Sequence, residues 1–185
     1  MRAFVAVGLP TEVRVALAGL QQRLAASRAD VKWVEPANLH LTLKFFAEIS
    51  ELQRAGVEAL LRRIAGAQRR FTMRLGVLGA FPAMTAPRVL WVGCDDGQDT
   101  LRRIAGQIEE GAAALQLPRE EHPFAAHLTI GRVRSPRGRA DLVRALQAAS
   151  WTPPPAWPVT ALTLYQSVLG PQGPTYTALA DAPLA

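Results

Sequence analysis

The sequence predicts an α+β fold built from two similar lobes related by a pseudo-two-fold axis. Three observations predict it. Short runs of β-forming residues alternate with amphipathic helical stripes, and the order of these segments starts again halfway along the chain. Corresponding places in the two halves also carry one tetrapeptide pattern, His40-Leu41-Thr42-Leu43 and His127-Leu128-Thr129-Ile130. The 185 residues suit one domain or two joined lobes, and a composition 49% hydrophobic and 19% charged supplies a core and excludes a disordered chain.

Arg2 to Leu9 is an apolar run stopped by Pro10 and reads as a strand. Thr11 is expected to cap the helix from Glu12 to about Ala26, whose Val13, Leu17, Leu20 and Leu24 form one stripe. Strands are expected at Lys32–Val34 and His40–Ala47, either side of the turn-prone Glu35-Pro36-Ala37-Asn38. Ser50 caps a second helix bearing Leu52, Val57, Leu60, Leu61 and Ile64, and Phe71–Leu78 is a further strand. The same order recurs as strand Arg88–Cys94, helix Asp99–Leu115, strand Phe124–Val133, helix Ala140–Ala149 and strand Trp157–Val168. His40 follows Phe4 by 36 residues as His127 follows Trp91; it precedes Phe71 by 31, and His127 precedes Trp157 by 30. The repeats span roughly 2–83 and 88–169, with a C-terminal strand segment 170–185, all within one bilobal domain.

No apolar run approaches the ~20 residues of a membrane span, and neither a span nor a leader is expected. The single cysteine, Cys94, excludes an internal disulfide and a Cys-rich zinc site, and predicts a reducing, cytoplasmic setting. The net charge of +6, carried mostly by arginine, suits an anionic partner or solvated helix faces equally well. There is no GxGxxG, Walker or GxSxG motif, which argues against dinucleotide-binding, nucleoside-triphosphatase and serine-hydrolase chemistry.

In a strand, residues i and i+2 share a face, so each motif presents a histidine and a threonine together while its aliphatic residues anchor the other face. Two imidazoles across a groove suit phosphodiester hydrolysis. One takes the proton of the attacking oxygen and the other protonates the departing oxygen, on opposite sides of phosphorus. The two hydroxyls can bond the phosphate oxygens, where charge is stabilised in the transition state. No metal or cofactor is needed. Read singly, each histidine would be a structural core residue; matched twice with threonine in a duplicated frame, they read as catalytic. His122 reads as a loop residue, Cys94 as core, Tyr165 and Tyr176 as core or ligand contacts, and Arg134, Arg137 and Arg139 as a solvated cluster or one that steers an anionic backbone.

The flanked motifs Trp33-Val34-Glu35-Pro36-Ala37-Asn38-Leu39-His40-Leu41-Thr42-Leu43-Lys44-Phe45 and Phe124-Ala125-Ala126-His127-Leu128-Thr129-Ile130-Gly131-Arg132-Val133 closely resemble the two-histidine phosphoesterase superfamily. Within it the chain resembles the bacterial RNA 2′,3′-cyclic phosphodiesterases, also called 2′-5′ RNA ligases. Phe4-Val5-Ala6-Val7-Gly8-Leu9-Pro10, Leu164-Tyr165-Gln166-Ser167 and Gly173-Pro174-Thr175-Tyr176 extend the likeness over nearly the whole chain. The resemblance implies two antiparallel sheets facing a central groove with helices outside, and hydrolysis of an RNA 2′,3′-cyclic phosphate to a 2′-phosphate. It implies His40 as proton donor, His127 as proton acceptor, Thr42, Thr129 and Arg132 as phosphate-binding residues, and Lys44, Phe45 and Tyr165 as further substrate contacts. RNA ends are the expected partner, with no membrane and no protein partner, the chain being a monomer. The alternatives are 2′-5′ end joining at the same site and a non-catalytic RNA-binding module. Ala126 stands where the family usually has Pro, and Phe46-Ala47 where it usually has Leu-Gly.

Overall fold

The computed structural model describes residues 1–171 and 173–185. In chain order the elements are β1 (Ala3–Val7), α1 (Thr11–Ala25), β2 (Val31–Trp33), a 3-10 turn (Pro36–Asn38), β3 (Leu41–Phe46) and α2 (Glu51–Ala67). There follow β4 (Phe71–Ala83), β5 (Ala86–Asp96), α3 (Gln98–Ala114), β6 (His127–Val133), α4 (Arg139–Ala148), β7 (Trp157–Val159), β8 (Ala161–Gly170) and β9 (Gly173–Pro183). They form two antiparallel sheets, one ordered β3-β1-β8-β9 and the other β2-β6-β5-β4-β7. The expected fold class holds.

The repeats do not each close a sheet of their own. The first repeat's β4 pairs with β5 in the second sheet, and the second repeat's β8 pairs with β1 in the first. Helices follow suit: α1 packs behind β6 beside α4, and α3 packs behind β3 beside α2. The expected boundary between 83 and 88 therefore lies at the tip of a long hairpin within one sheet.

Several elements differ from expectation for local reasons. Thr11 is not a cap: Pro10 occupies that position in extended backbone, its carbonyl accepts from the Arg14 N–H, and Thr11 opens the helix. The β4 and β5 strands outrun their expected ends because Gly79, Pro82 and Pro87 extend the ladder rather than stop it; Pro82 pairs opposite Pro87, and Gly79 lies opposite Trp91. The expected strand from Trp157 breaks at Thr160, where the chain crosses from one sheet to the other. The expected strand from Phe124 starts only at His127. At Ser50 the cap is as expected, with its hydroxyl accepting from the Gln53 N–H and the Gln53 side chain accepting from Ser50 N–H.

Burial explains the rest. The stripe Val13, Leu17, Leu20 and Leu24 of α1 and the residues Leu101, Ile104 and Ile108 of α3 are buried, as are Leu41, Leu128 and Ile130 from the motif strands. Each such side chain contributes roughly 1.5–3 kcal/mol when removed from water. The core thus lies between each sheet and its helix layer, leaving the sheets' other faces to line a groove. Among the described residues no helix is long and apolar enough to cross a membrane.

Candidate active site

A groove of ≈ 700 Å³ is lined from both sheets, and His40, Thr42, His127 and Thr129 all lie on its wall. His40 directly precedes β3 and His127 opens β6; Leu41 and Leu128 between them are buried on the opposite face, as the alternation predicts. Each ring is fixed in the same way. His40 Nδ1 lies 2.6 Å from the Asn38 carbonyl oxygen and His127 Nδ1 lies 2.8 Å from that of Ala125. A carbonyl only accepts, so both Nδ1 atoms carry hydrogen and donate, and Nε2 is the ring nitrogen left for chemistry. Arg14 stiffens the first support by donating to the Pro36 and Ala37 carbonyls, each at 2.8 Å. Asn38 in turn donates to the Pro174 carbonyl at 3.0 Å, tying this turn to β9.

The surroundings of the two rings differ. His40 stacks on Phe4 at 4.5 Å, with Tyr176 edge-on at 5.2 Å, and Tyr165 stacks on Phe4 at 5.2 Å from behind. Burial, helped by the Arg14 charge, holds the His40 pKa below its ordinary value, against the opposing pull of the Asn38 carbonyl. Around His127 the rings stand edge-on, Phe81 at 5.2 Å and Trp91 at 6.4 Å. Trp91 corresponds to Phe4 in the repeat, but its larger ring covers Gly79 of the neighbouring strand, where a Cβ would lie 2.3 Å from the indole. One indole over a glycine here takes the space that Phe4 and Tyr165 share opposite.

After each motif threonine the strand gains one residue. Val5 pairs with Lys44 but Ala6 with Thr42, leaving Leu43 unmatched; Leu90 pairs with Gly131 but Trp91 with Thr129, leaving Ile130 unmatched. These twin bulges invert the alternation beyond them. Phe45 and Arg132 consequently line the groove, while Lys44 and Gly131 turn towards the helices. At Gly131 an added Cβ would meet Val31 and Trp33 at 2.9 Å, so the crowded inward position takes no side chain. The carbonyl of Ile130 is held by the Val34 N–H at 3.0 Å and by Gln21 Nε2 at 2.8 Å, with Gln21 buried in α1.

Lys44 is therefore not a substrate contact. It is 2% exposed, and its ammonium donates to Glu109 of α3 at 2.6 Å and to the Pro118 carbonyl at 3.1 Å. Burial works to raise the Glu109 pKa, but hydrogen bonds from Lys44 and from the Glu120 N–H, with the Lys44 charge, outweigh it and hold the carboxyl below its ordinary value. Tyr165, directly opposite Phe4 on β8, stacks on that ring at 5.2 Å and stands beside the residues that line the groove rather than among them. His122 lines a separate hollow of ≈ 450 Å³ between Phe45 and the 117–122 loop. Cys94 is buried, its thiol pushed up to about 12 by burial and by the Asp95 charge. Sequence reasoning left out Arg2, Phe4, Ser167 and Leu169 from the groove, and it named Tyr176 without choosing between core and site. Their signal was present only as alternation along strands whose partners the sequence does not name. Among the described residues no group of three or more His, Cys, Asp or Glu side chains is placed to hold a metal ion.

Residues 9–171 match the family model of the 2′-5′ RNA ligase superfamily. The chain belongs to that superfamily. A Thermus thermophilus relative named RNA 2′,3′-cyclic phosphodiesterase is 37% identical over 185 residues, covering 97% of this chain and 88% of its own length. A solved structure of a Thermus thermophilus protein superposes with a TM-score of 0.82 at 33% identity, over 100% of this chain and 98% of that one. Escherichia coli LigT complexed with 3′-AMP gives a TM-score of 0.79 at 28% identity, over 99% and 97% of the two chains. The likeness to these superfamily structures thus runs through both sheets and is not confined to the motifs.

Proposed function

We propose that this protein is an RNA 2′,3′-cyclic phosphodiesterase that opens the cyclic phosphate to leave a 2′-phosphate and a free 3′-hydroxyl. The observation that carries this reading is the pair of His-x-Thr faces, one from each sheet, whose rings are each clamped at Nδ1 by a carbonyl two residues back and share one groove. Water attacks phosphorus as His127 Nε2 takes its proton; the bond from phosphorus to O3′ breaks as His40 Nε2 delivers a proton to that oxygen. Thr42 and Thr129 hold the non-bridging oxygens, and Arg132, turned into the groove by its bulge, adds positive charge beside them. No step calls for a metal or cofactor. In the free enzyme His40 favours the neutral form, so arrival of an anionic phosphodiester raises its proton affinity and loads the acid on binding.

The same reading makes RNA ends the partner of a monomeric cytoplasmic enzyme, the cytoplasmic setting being supported by the single, buried, unbridged cysteine. The test is mass spectrometry of the product ends after treating a 2′,3′-cyclic oligonucleotide in chelator. A 2′-phosphate end is expected; a 3′-phosphate end, or no turnover, overturns the reading. Adding a 5′-hydroxyl strand checks end joining, since only joining yields a longer product.

A further inference from the structure

A 2′,3′-cyclic phosphodiester carries one negative charge, and the two His-x-Thr faces with Arg132 already answer it. The groove holds more cation than that. Arg2 also lines it, and among the described residues neither Arg2 nor Arg132 is paired with a carboxylate, whereas Arg54, Arg102 and Arg134 each are.

Arg2 is also placed. It precedes Phe4, whose ring stacks on His40, by two residues on the same face of the first sheet, a backbone offset of roughly 7 Å. That is the order of separation between successive phosphates in a single strand. Arg2 is exposed, and its guanidinium rests over the Phe45 ring at 4.8 Å, which orients it along the groove wall. The Arg2 carbonyl accepts from the Ser167 N–H at 3.0 Å, and Ser167 pairs with Tyr176 across β8 and β9. Three groove-lining residues therefore stand side by side, Arg2 just before β1, Ser167 on β8 and Tyr176 on β9. Burial raises the Tyr176 pKa while the Arg132 and Arg2 charges oppose it; the phenol stays a hydrogen-bond donor between a cation of each sheet.

We propose that Arg2 and Tyr176 form a second anion subsite that grips the internucleotide phosphate next to the reacting one. The enzyme then selects oligonucleotide ends over cyclic mononucleotides. This rests on the phosphodiesterase reading and names the substrate class of that site.

The test measures kcat/KM for a 2′,3′-cyclic mononucleotide, for a dinucleotide with the same cyclic end, and for that dinucleotide with an uncharged methylphosphonate linkage. The charged dinucleotide is expected to exceed the other two by roughly tenfold, the worth of a charged hydrogen bond. Arg2→Gln is expected to shrink that advantage to about twofold, and Tyr176→Phe to shrink it in part. The dinucleotide's logarithmic salt slope should exceed the mononucleotide's by about 0.7, and Arg2→Gln should remove the excess. Equal rates for the charged and methylphosphonate dinucleotides, or an Arg2→Gln loss equal for mononucleotide and dinucleotide, overturns the subsite. If none of the three is cleaved, the hydrolase reading fails instead. Calorimetric affinity for the dinucleotide 2′-phosphate against its methylphosphonate analogue then decides the subsite by the same comparison.

Discussion

His40 and His127 share a motif and a carbonyl clamp yet differ in the rings packed around them, and on the proposed mechanism one gives a proton while the other takes one. Replacing either by alanine should lower kcat by on the order of 10²–10⁴ with the fold intact by circular dichroism. The pH dependence of kcat/KM reports the free enzyme, where burial holds the His40 pKa below the ordinary ~6.5, so the proton that the donor delivers costs more to load as pH rises. The kcat/KM of the parent should therefore decline on the alkaline side from below that value. Phe4→Ala, which readmits water beneath the ring, should move the decline upward; an unmoved limb would mean that the acid is another group. The same depression affects stability. The unfolded chain binds the proton that the folded chain resists, so unfolding free energy should fall as pH drops through about 6.5 and below, and His40→Gln should lessen the fall. At this scale the site was legible, because two of only three histidines carry Thr two positions on in a repeated frame. The aromatic beds under the rings were not, because pairing between distant strands brings Phe4, Tyr165 and Tyr176 together.

Helices and strands were mostly readable from periodicity, as the burial of Val13, Leu17, Leu20 and Leu24 shows. The bulges were not. Simple alternation after the motifs sends Lys44 to the groove with His40 and Thr42, and sends Arg132 away from it; one unmatched residue in each strand reverses both. Neither Leu43 nor Ile130 marks itself in composition, since each is an ordinary strand residue. What sustains the bulges is visible only in three dimensions, namely the Gln21 amide on the Ile130 carbonyl and the Lys44–Glu109 pair. Gln21→Leu should cost about 1–2 kcal/mol in urea unfolding, the worth of leaving buried carbonyls short of a donor. Glu109→Gln should cost about 3 kcal/mol, because the Lys44 side chain, 1% exposed, loses its anion. Lys44→Met should cost less, since Glu109 at 23% exposure can turn to water. The double replacement Lys44→Met with Glu109→Met should fall well short of the sum of the singles.

Over the whole molecule, the expectation of two like halves was right in pattern but silent about exchange. An apolar run through Trp157 to Val168 reads as continuous, and nothing in it announces that Thr160 is where the chain changes sheets. Because β4 and β8 are traded and α1 and α3 cover the other repeat's strands, neither half owns a complete core. The chain should unfold in one transition, with tryptophan fluorescence and far-ultraviolet dichroism coinciding in urea. Separate peptides 1–84 and 85–185, cut at the β4–β5 turn, should each lack native dichroism and regain it when mixed. The trade has an ancestral corollary. A lone primordial repeat would have had every reason to meet its twin, since a C2 partner is the one body that supplies the missing strand, the missing helix and the second imidazole at once. Within one polypeptide the two copies need not match side chain for side chain, and Phe4 with Tyr165 on one side stands against Trp91 with Gly79 on the other.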